Sequence, residues 1–207
     1  KSQMIERAGV IWDVEPDSVA LENGVFQSKS DPELSMTFKE LTAQLNATGG
    51  PIVGRAAVNA TGVGAAFAGC IADVEVDPET GKVDVLRFTI VQDAGKAIHP
   101  SYVEGQMQGG AVQGIGWALN EKDFYNPDGT MANSSFLDYR MPTILDIPMV
   151  DTVITEVPNP RHPFGLRGVG EAPIIPPLAA LSNAIYRAVG VRMTKLPMTP
   201  GAILDAL

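Results

Sequence analysis

The pattern of apolar and polar positions predicts two long paired strands near the middle of the chain. Ala72, Val74 and Val76 alternate with acidic residues, which is the period-two pattern of a strand whose acidic side faces water. A turn at residues 77–81 is followed by a β-rich stretch at residues 83–91. This stretch predicts the second strand of the pair.

Shorter strands are predicted on either side of this pair. Residues 19–21 and 25–26 flank the turn Glu22-Asn23-Gly24, which predicts a small hairpin. Residues 150–157 predict another strand, and residues 125–130 predict a turn between strands.

Two helices are predicted in the first quarter of the chain. Residues 1–8 have the pattern of a helix end stopped by Gly9, with no start signal before it. We therefore expect the chain to be a fragment or one piece of a split subunit. Thr37 and Glu40 have the spacing of a capping box at the start of a second helix, which Gly49-Gly50-Pro51 would end.

Two more helices are predicted further along. Ser101 and Glu104 repeat the capping-box spacing and begin a helix that reaches about Leu119. Residues 177–189 predict a helix with proline in its first turn and Gly190 at its end. Because helices and strands do not alternate as repeating βαβ units, the predicted fold class is α+β.

Composition excludes several classes of partner. The net charge is -9 and no basic cluster is visible, so we expect no nucleic-acid partner. No apolar run approaches the roughly 20 residues that span a bilayer, so we expect no membrane role. A single cysteine cannot form an internal disulfide or an iron-sulfur ligand set. A reducing compartment, the cytoplasm, therefore fits best.

Residues 105–116 hold five glycines inside a predicted helix, each of which costs roughly 1 kcal/mol relative to alanine. Gly105, Gly109 and Gly116 recur at spacings that put them on one face. That face would allow very close approach by a helix or a ligand, with Gln106 and Gln113 nearby to form hydrogen bonds. The spacing alone favours a tightly packed helix pair over a ligand site.

Residues 167–173 form a glycine-flanked loop that carries Glu171 to the start of the last predicted helix. Glycines let the backbone approach a bound group closely. A carboxylate in this position could act as a general base. From these residues alone, an ordinary acidic residue at a helix start is the favoured interpretation.

The histidines and the cysteine give weaker signals. His99 and His162 each precede a proline with no metal-ligand motif nearby, so we expect both to be structural or exposed and the chain to supply no metal ligands. Cys70 lies in the apolar run 65–71 and is expected to be a buried small hydrophobic residue. A Cys70–His99 nucleophilic pair is the less favoured alternative. Gly62-Val63-Gly64 precedes a predicted strand, which is not the order of a dinucleotide-binding fingerprint.

Four segments of the chain form an ordered set. They are Val91-Gln92-Asp93-Ala94-Gly95, the block 105–116, Phe136-Leu137-Asp138-Tyr139-Arg140-Met141-Pro142 and Gly168-Val169-Gly170-Glu171-Ala172-Pro173. In order and spacing they resemble the C-terminal half of molybdenum hydroxylase large subunits, the family of xanthine dehydrogenase, aldehyde oxidase and aerobic carbon monoxide dehydrogenase. The tail at residues 178–207 is also similar, so the resemblance covers most of the chain.

The resemblance implies that residues 1–207 are the C-terminal molybdopterin-binding region of such a subunit. Glu171 matches the family's active-site glutamate, a general base that takes the proton from the oxygen nucleophile that attacks an electron-poor carbon. Gln106 matches a glutamine that hydrogen-bonds the pterin. Gly168, Val169 and Gly170 match the loop beside the metal centre.

The resemblance also implies partners, because the family's large subunit has a much longer N-terminal portion. We expect the chain to need the remainder of the subunit, an iron-sulfur subunit with [2Fe-2S] clusters and a flavin subunit with FAD. The implied cofactor is molybdenum-molybdopterin, either without an attached nucleotide or as the cytosine dinucleotide. The implied reaction hydroxylates an aldehyde or N-heterocycle with water as the oxygen source. The alternatives are a non-catalytic molybdopterin-binding or assembly module and, more weakly, a hydrolase using Cys70 and His99.

Overall fold

The structure is a computed structural model that describes residues 1–57 and 64–207. The chain divides into two units, Lys1–Asn59 and Ala60–Leu207. Gly62 and Val63, from the glycine stretch discounted above, lie outside the described residues. Helices and antiparallel and parallel strand pairs occur together, which confirms the predicted α+β class.

The first unit is a small antiparallel sheet with two helices. Its elements are α1 (Ser2–Trp12), β1 (Val19–Glu22), β2 (Val25–Ser28), β3 (Ser35–Thr37) and α2 (Phe38–Gln44), with 3₁₀ turns at Pro16–Ser18 and Leu45–Ala47. β1 and β2 pair around a turn in which Asn23 and Gly24 have positive φ, so the predicted hairpin is confirmed. Its core consists of Ala8, Val19, Phe26, Met36 and Leu41.

The helix ends of this unit bear out one prediction and overturn another. Thr37 and Glu40 form the predicted capping box of α2. The prediction that Gly9 stops the first helix is wrong, since α1 continues to Trp12 and Asp13 takes the left-handed conformation at its end. Gly9 is buried inside the helix, where an added Cβ would lie 2.8 Å from the carbonyl oxygen of Val14.

The second unit is built on a three-stranded sheet of order β4-β5-β6, formed by Phe67–Val76, Val83–Asp93 and Val150–Thr155. β4 and β5 are antiparallel, which confirms the predicted long pair, and Asp73 and Glu75 are exposed as expected. β6 lies parallel to β5, with Phe88 opposite Val150 and Asp93 opposite Thr155. The carboxyl ends of β5 and β6 therefore meet at one edge of the sheet.

Three helices complete this unit: α3 (Pro100–Leu119), α4 (Pro176–Val189) and α5 (Pro200–Leu204). α3 packs against β6 and α4, and α4 packs against β4. The fully buried side chains between them include Phe88, Ile90, Met107, Ile115, Leu181, Ile185 and Ile203. The predicted ends of α3 at Leu119 and of α4 at Gly190 are confirmed, and Gly190 has the left-handed conformation.

Two predictions in this unit are wrong in detail. Ser101 does not cap α3, because the helix already begins at Pro100 with His99 before it, and Pro100 needs no N–H partner there. The turn near residues 126–129 is present, but it joins a single bridge between Tyr125 and Met131, with no strand on either side of it among the described residues. None of the helices within residues 1–57 and 64–207 is long and apolar enough to cross a membrane.

Candidate functional site

The glycine-rich helix α3 has one packed face and one open face. An added Cβ at Gly110 would lie 2.5 Å from Pro173 Cγ, and one at Gly114 would lie 2.6 Å from the carbonyl oxygen of Ile174. Among the described residues, nothing lies within 4 Å of the corresponding positions at Gly105 and Gly109. Both a close helix contact and a bare surface are thus present, on different faces.

The sequence predicts one bare face formed by Gly105, Gly109 and Gly116. This prediction is wrong for Gly116. Gly116 is buried, and an added Cβ there would lie 2.6 Å from Pro142. Gly105 and Gly109 remain exposed together with Gln106 and Gln113. The open part of the face therefore lies in the first half of the helix.

The loop before Glu171 is anchored to the carboxyl end of β5. Arg167 Nε lies 2.9 Å from Asp93 Oδ2, and the two side chains are only 11% and 12% exposed. The Arg167 backbone N–H donates to the carbonyl of Ala94, and its guanidinium donates to the carbonyls of Ala65 and Val157. This ion pair and its hydrogen bonds fix where the loop leaves the sheet edge.

Gly95 makes this anchor possible. Its φ is +61°, and an added Cβ would collide with the carbonyl oxygen of Gly165. Only glycine adopts this conformation without cost and lets the two backbones pair there, as Gly95 does with Leu166. The glycine of the Val91–Gly95 motif is therefore required by a close backbone contact.

The structure brings several of the sequence-predicted site residues together. An added Cβ on Gly170 would lie 3.3 Å from Gln106 Oε1, so the glutamine side chain of α3 reaches the glycine loop. Glu171 follows directly and is exposed, preceding the 3₁₀ turn Ala172–Ile174 that leads into α4. Pro173 of this turn packs on Gly110. Gln106 and the 168–171 loop thus border one surface.

A further residue holds this loop and was not singled out from the sequence. Gln92 is 1% exposed, and its Nε2 donates to the carbonyls of Gly168 and Val169 at 3.2 and 3.1 Å. It follows Phe88 and Ile90 on the inward side of β5. A polar residue at an inward position of a strand was the signal that could have identified it.

The histidines and the cysteine take no part in this arrangement. His99 is exposed and stacks on Tyr102, and His162 is half-buried with Nδ1 accepting from the Phe164 N–H. Burial raises the pKa of the Cys70 thiol to about 11, which suppresses the reactive thiolate at neutral pH. No group of three or more metal-ligating side chains lies together in the part of the chain that the structure describes.

Comparison with known proteins places these features in a family context. A family model described as a molybdopterin cofactor-binding domain matches residues 1–148. The chain is 35% identical to the 6-hydroxypseudooxynicotine dehydrogenase complex subunit gamma of Paenarthrobacter nicotinovorans, over 96% of this chain and 26% of that protein. It is 36% identical to the xanthine dehydrogenase molybdenum-binding subunit of Escherichia coli O157:H7, over 76% of this chain and 21% of that protein.

A solved structure shows the same fold. Quinoline 2-oxidoreductase from Pseudomonas putida 86 matches with a TM-score of 0.81 and 30% identity, over 99% of this chain and 28% of that chain. The chain therefore spans about a quarter of the length of these relatives.

Proposed function

Since the chain belongs to the molybdopterin cofactor-binding family of the molybdenum hydroxylases, we propose that residues 1–207 form the C-terminal molybdopterin-binding region of a catalytic subunit. The subunit hydroxylates an aldehyde or N-heterocycle with water as the oxygen source. Relatives named for quinoline and xanthine, both N-heterocycles, support the second substrate class. The observation that carries the proposal is the meeting of Gln106 with the 168–171 loop beside the open face of α3.

That surface fits a planar pterin. Within residues 1–57 and 64–207, nothing lies within 4 Å of the Cβ positions of Gly105 and Gly109, so a bound pterin could approach the helix backbone closely. Gln106 and Gln113 are exposed beside them, and each amide offers both donors and an acceptor to the edge of such a ring. Gly168, Val169 and Gly170 border the same site, and molybdenum-molybdopterin, when bound, supplies the two-electron redox chemistry.

Glu171 is the general base in this proposal. Glu171 is exposed at the end of the 168–170 loop. A free carboxylate oxygen can accept a proton from an oxygen nucleophile that lies within hydrogen-bond reach. The Asp93–Arg167 ion pair and the packing of Pro173 on Gly110 hold the loop from both sides.

The complete enzyme requires partners. The chain spans about a quarter of its relatives, and one relative is named as subunit gamma of a complex. We propose that the remainder of the large subunit, an iron-sulfur subunit with [2Fe-2S] clusters and a flavin subunit with FAD complete it in the cytoplasm. The proposal includes two forms of the cofactor, the pterin alone and the pterin as its cytosine dinucleotide. Nucleotide analysis of the released cofactor would distinguish them.

Substituting Glu171 by glutamine in the assembled complex tests the catalytic role. We expect kcat to fall by at least about 100-fold, since general base catalysis contributes on that order, while molybdenum content stays at the wild-type level. Glu75→Gln is the matched control, because Glu75 is an exposed acid on the outer face of β4 and should leave turnover unchanged. Wild-type turnover in the Glu171→Gln complex would refute the assignment.

The alternative function is a non-catalytic molybdopterin-binding or assembly module. It can be tested with the same assembled complex. Molybdenum analysis with substrate reduction under anaerobic conditions separates the two. Stoichiometric molybdenum whose spectrum changes on addition of substrate supports the enzyme, whereas bound pterin with no response to any aldehyde or N-heterocycle supports the module.

A further inference from the structure

Gln92 is a buried amide that is only partly satisfied. Its side chain is 1% exposed at the carboxyl end of β5, where Nε2 donates to two successive carbonyls, those of Gly168 and Val169. Its Oε1 is buried with no hydrogen-bond partner among the described residues. Because both neighbours are acceptors, the nitrogen must face them, so the orientation of the amide is fixed by its surroundings.

Stability of the core does not explain this residue. Gln92 occupies an inward position next to Ile90, where an apolar side chain of similar length would pack without burying an unpaired oxygen. An unsatisfied buried acceptor opposes folding. The presence of an amide at this position is therefore explained by the two loop carbonyls that its Nε2 binds.

The donor holds a segment with few other constraints. Upstream, Arg167 is fixed by Asp93 and Ala94. Downstream, Pro173 packs on Gly110. Between these anchors, within residues 1–57 and 64–207, the hydrogen bonds that reach the carbonyls of Gly168 and Val169 come from Gln92 alone.

From these contacts we propose that Gln92 is a positioning residue that sets the 168–170 backbone and thereby the direction of the Glu171 carboxylate beside Gln106. This inference rests on the proposed role of Glu171 as a base. In this role Gln92 does not touch substrate or cofactor, and it acts by fixing the 168–169 and 169–170 peptide planes, which lie one peptide before the glutamate.

Two variants of the protein assembled with its partners and cofactor test the role. Gln92→Met keeps the length and burial of the side chain but removes the donor. Gln92→Glu keeps the shape, and its carboxyl can donate to a carbonyl only when it is protonated. Gln108→Met is the control, since half-buried Gln108 donates to the carbonyl of Val150, outside the loop.

We expect Gln92→Met to lower kcat per bound molybdenum by about 10-fold or more, with molybdenum content and KM near wild type, as expected for a misaligned group. Amide hydrogen exchange at residues 168–171 should speed up, whereas exchange in α4 stays unchanged. For Gln92→Glu, the kcat ratio to wild type should rise as the pH falls, because protonation restores the donor. The same ratio for Gln92→Met should stay flat with pH.

Wild-type kcat and loop exchange in Gln92→Met would overturn the proposal, and so would a loss confined to molybdenum content. If Gln92→Met does not fold, the pH dependence of Gln92→Glu decides, and a ratio that does not change with pH overturns it. Failure of the proposed function gives a different result. Unchanged turnover in Glu171→Gln would refute the assignment of Glu171 as the base. Amide hydrogen exchange at residues 168–171 in Gln92→Met would still show whether Gln92 holds the loop.

Discussion

Replacing Gly114 by alanine should destabilise the protein, whereas the same change at Gly109 should stabilise it. Both glycines lie inside α3, five positions apart, so the intrinsic helix propensity gained is the same, about 1 kcal/mol. They differ in what an added methyl group would meet. In the part of the chain that the structure describes, Gly109 faces open space, whereas Gly114 faces the carbonyl oxygen of Ile174 at 2.6 Å and Pro177 Cγ at 2.8 Å.

The magnitudes follow from these neighbours. Overpacking typically costs about 1–3 kcal/mol, and the upper part of that range applies at Gly114 because a backbone carbonyl and a proline ring cannot turn away. After the propensity gain, Gly114→Ala should lower the free energy of unfolding by about 1–2 kcal/mol. Gly109→Ala should raise it by up to about 1 kcal/mol.

Urea unfolding followed by circular dichroism measures both changes. For a chain of this size a difference of about 2–3 kcal/mol corresponds to a Tm difference of roughly 4–12 °C. Molybdenum analysis of the assembled protein adds an opposite readout, since the methyl group of Gly109→Ala would stand on the proposed pterin surface and should lower molybdenum content. Equal destabilisation by both variants would refute the assignment of a packed and an open face.

The remaining predictions concern the Cys70 thiol and the Asp93–Arg167 ion pair. Because burial raises the pKa of Cys70 from 9.0 to about 11, Cys70 should hold roughly 100-fold less thiolate at pH 8 than a free thiol. Alkylation by iodoacetamide should therefore be slow and leave turnover unchanged. A fast reaction that abolishes activity would support the hydrolase alternative. Because burial penalises the thiolate, the fold should lose stability as the pH rises from about 9 toward 11, where the thiol ionises in the unfolded chain before it ionises in the folded one. Asp93→Ala should lower the free energy of unfolding by about 3 kcal/mol, because it leaves the largely buried Arg167 guanidinium without its carboxylate and the N–H groups of Gly95 and Val157 without their acceptor. Adding Arg167→Met should recover part of that loss, and strictly additive effects in this double-mutant cycle would contradict a coupled pair.

Local patterns predicted the elements where a single face or a single cap decided the outcome. The alternation at Ala72, Val74 and Val76 identified β4, and Thr37 with Glu40 identified the start of α2. The same spacing failed at Ser101, because Pro100 occupies the first position of α3 and shifts the helix start. Gly9 failed as a stop signal because a helical glycine and a terminating glycine have the same local sequence signal.

The resemblance named individual residues of the candidate site. It did not predict which of them lie close together in the folded chain. Glu171, Gln106 and the 168–170 loop were named from motifs, and their roles stay predictions until the variants are measured. Gln92 was quoted only as part of the Val91–Gly95 segment, and its contact with the loop was not predicted because its partners lie 76 and 77 positions away along the chain. A hydrogen bond over that distance leaves no trace in the spacing of residues around either end.

The sequence by itself determined the α+β class, the long strand pair, the ends of α3 and α4, and the family resemblance, because periodicity, caps and ordered motifs are local properties of the chain. Only the tertiary structure decided which glycines of α3 are packed. Gly110 and Gly114 meet Pro173 and Ile174, while Gly105 and Gly109 have no such neighbour among the described residues. The physical reason is that close approach depends on where another segment passes, and the chain around α3 is positioned by contacts that are remote in sequence.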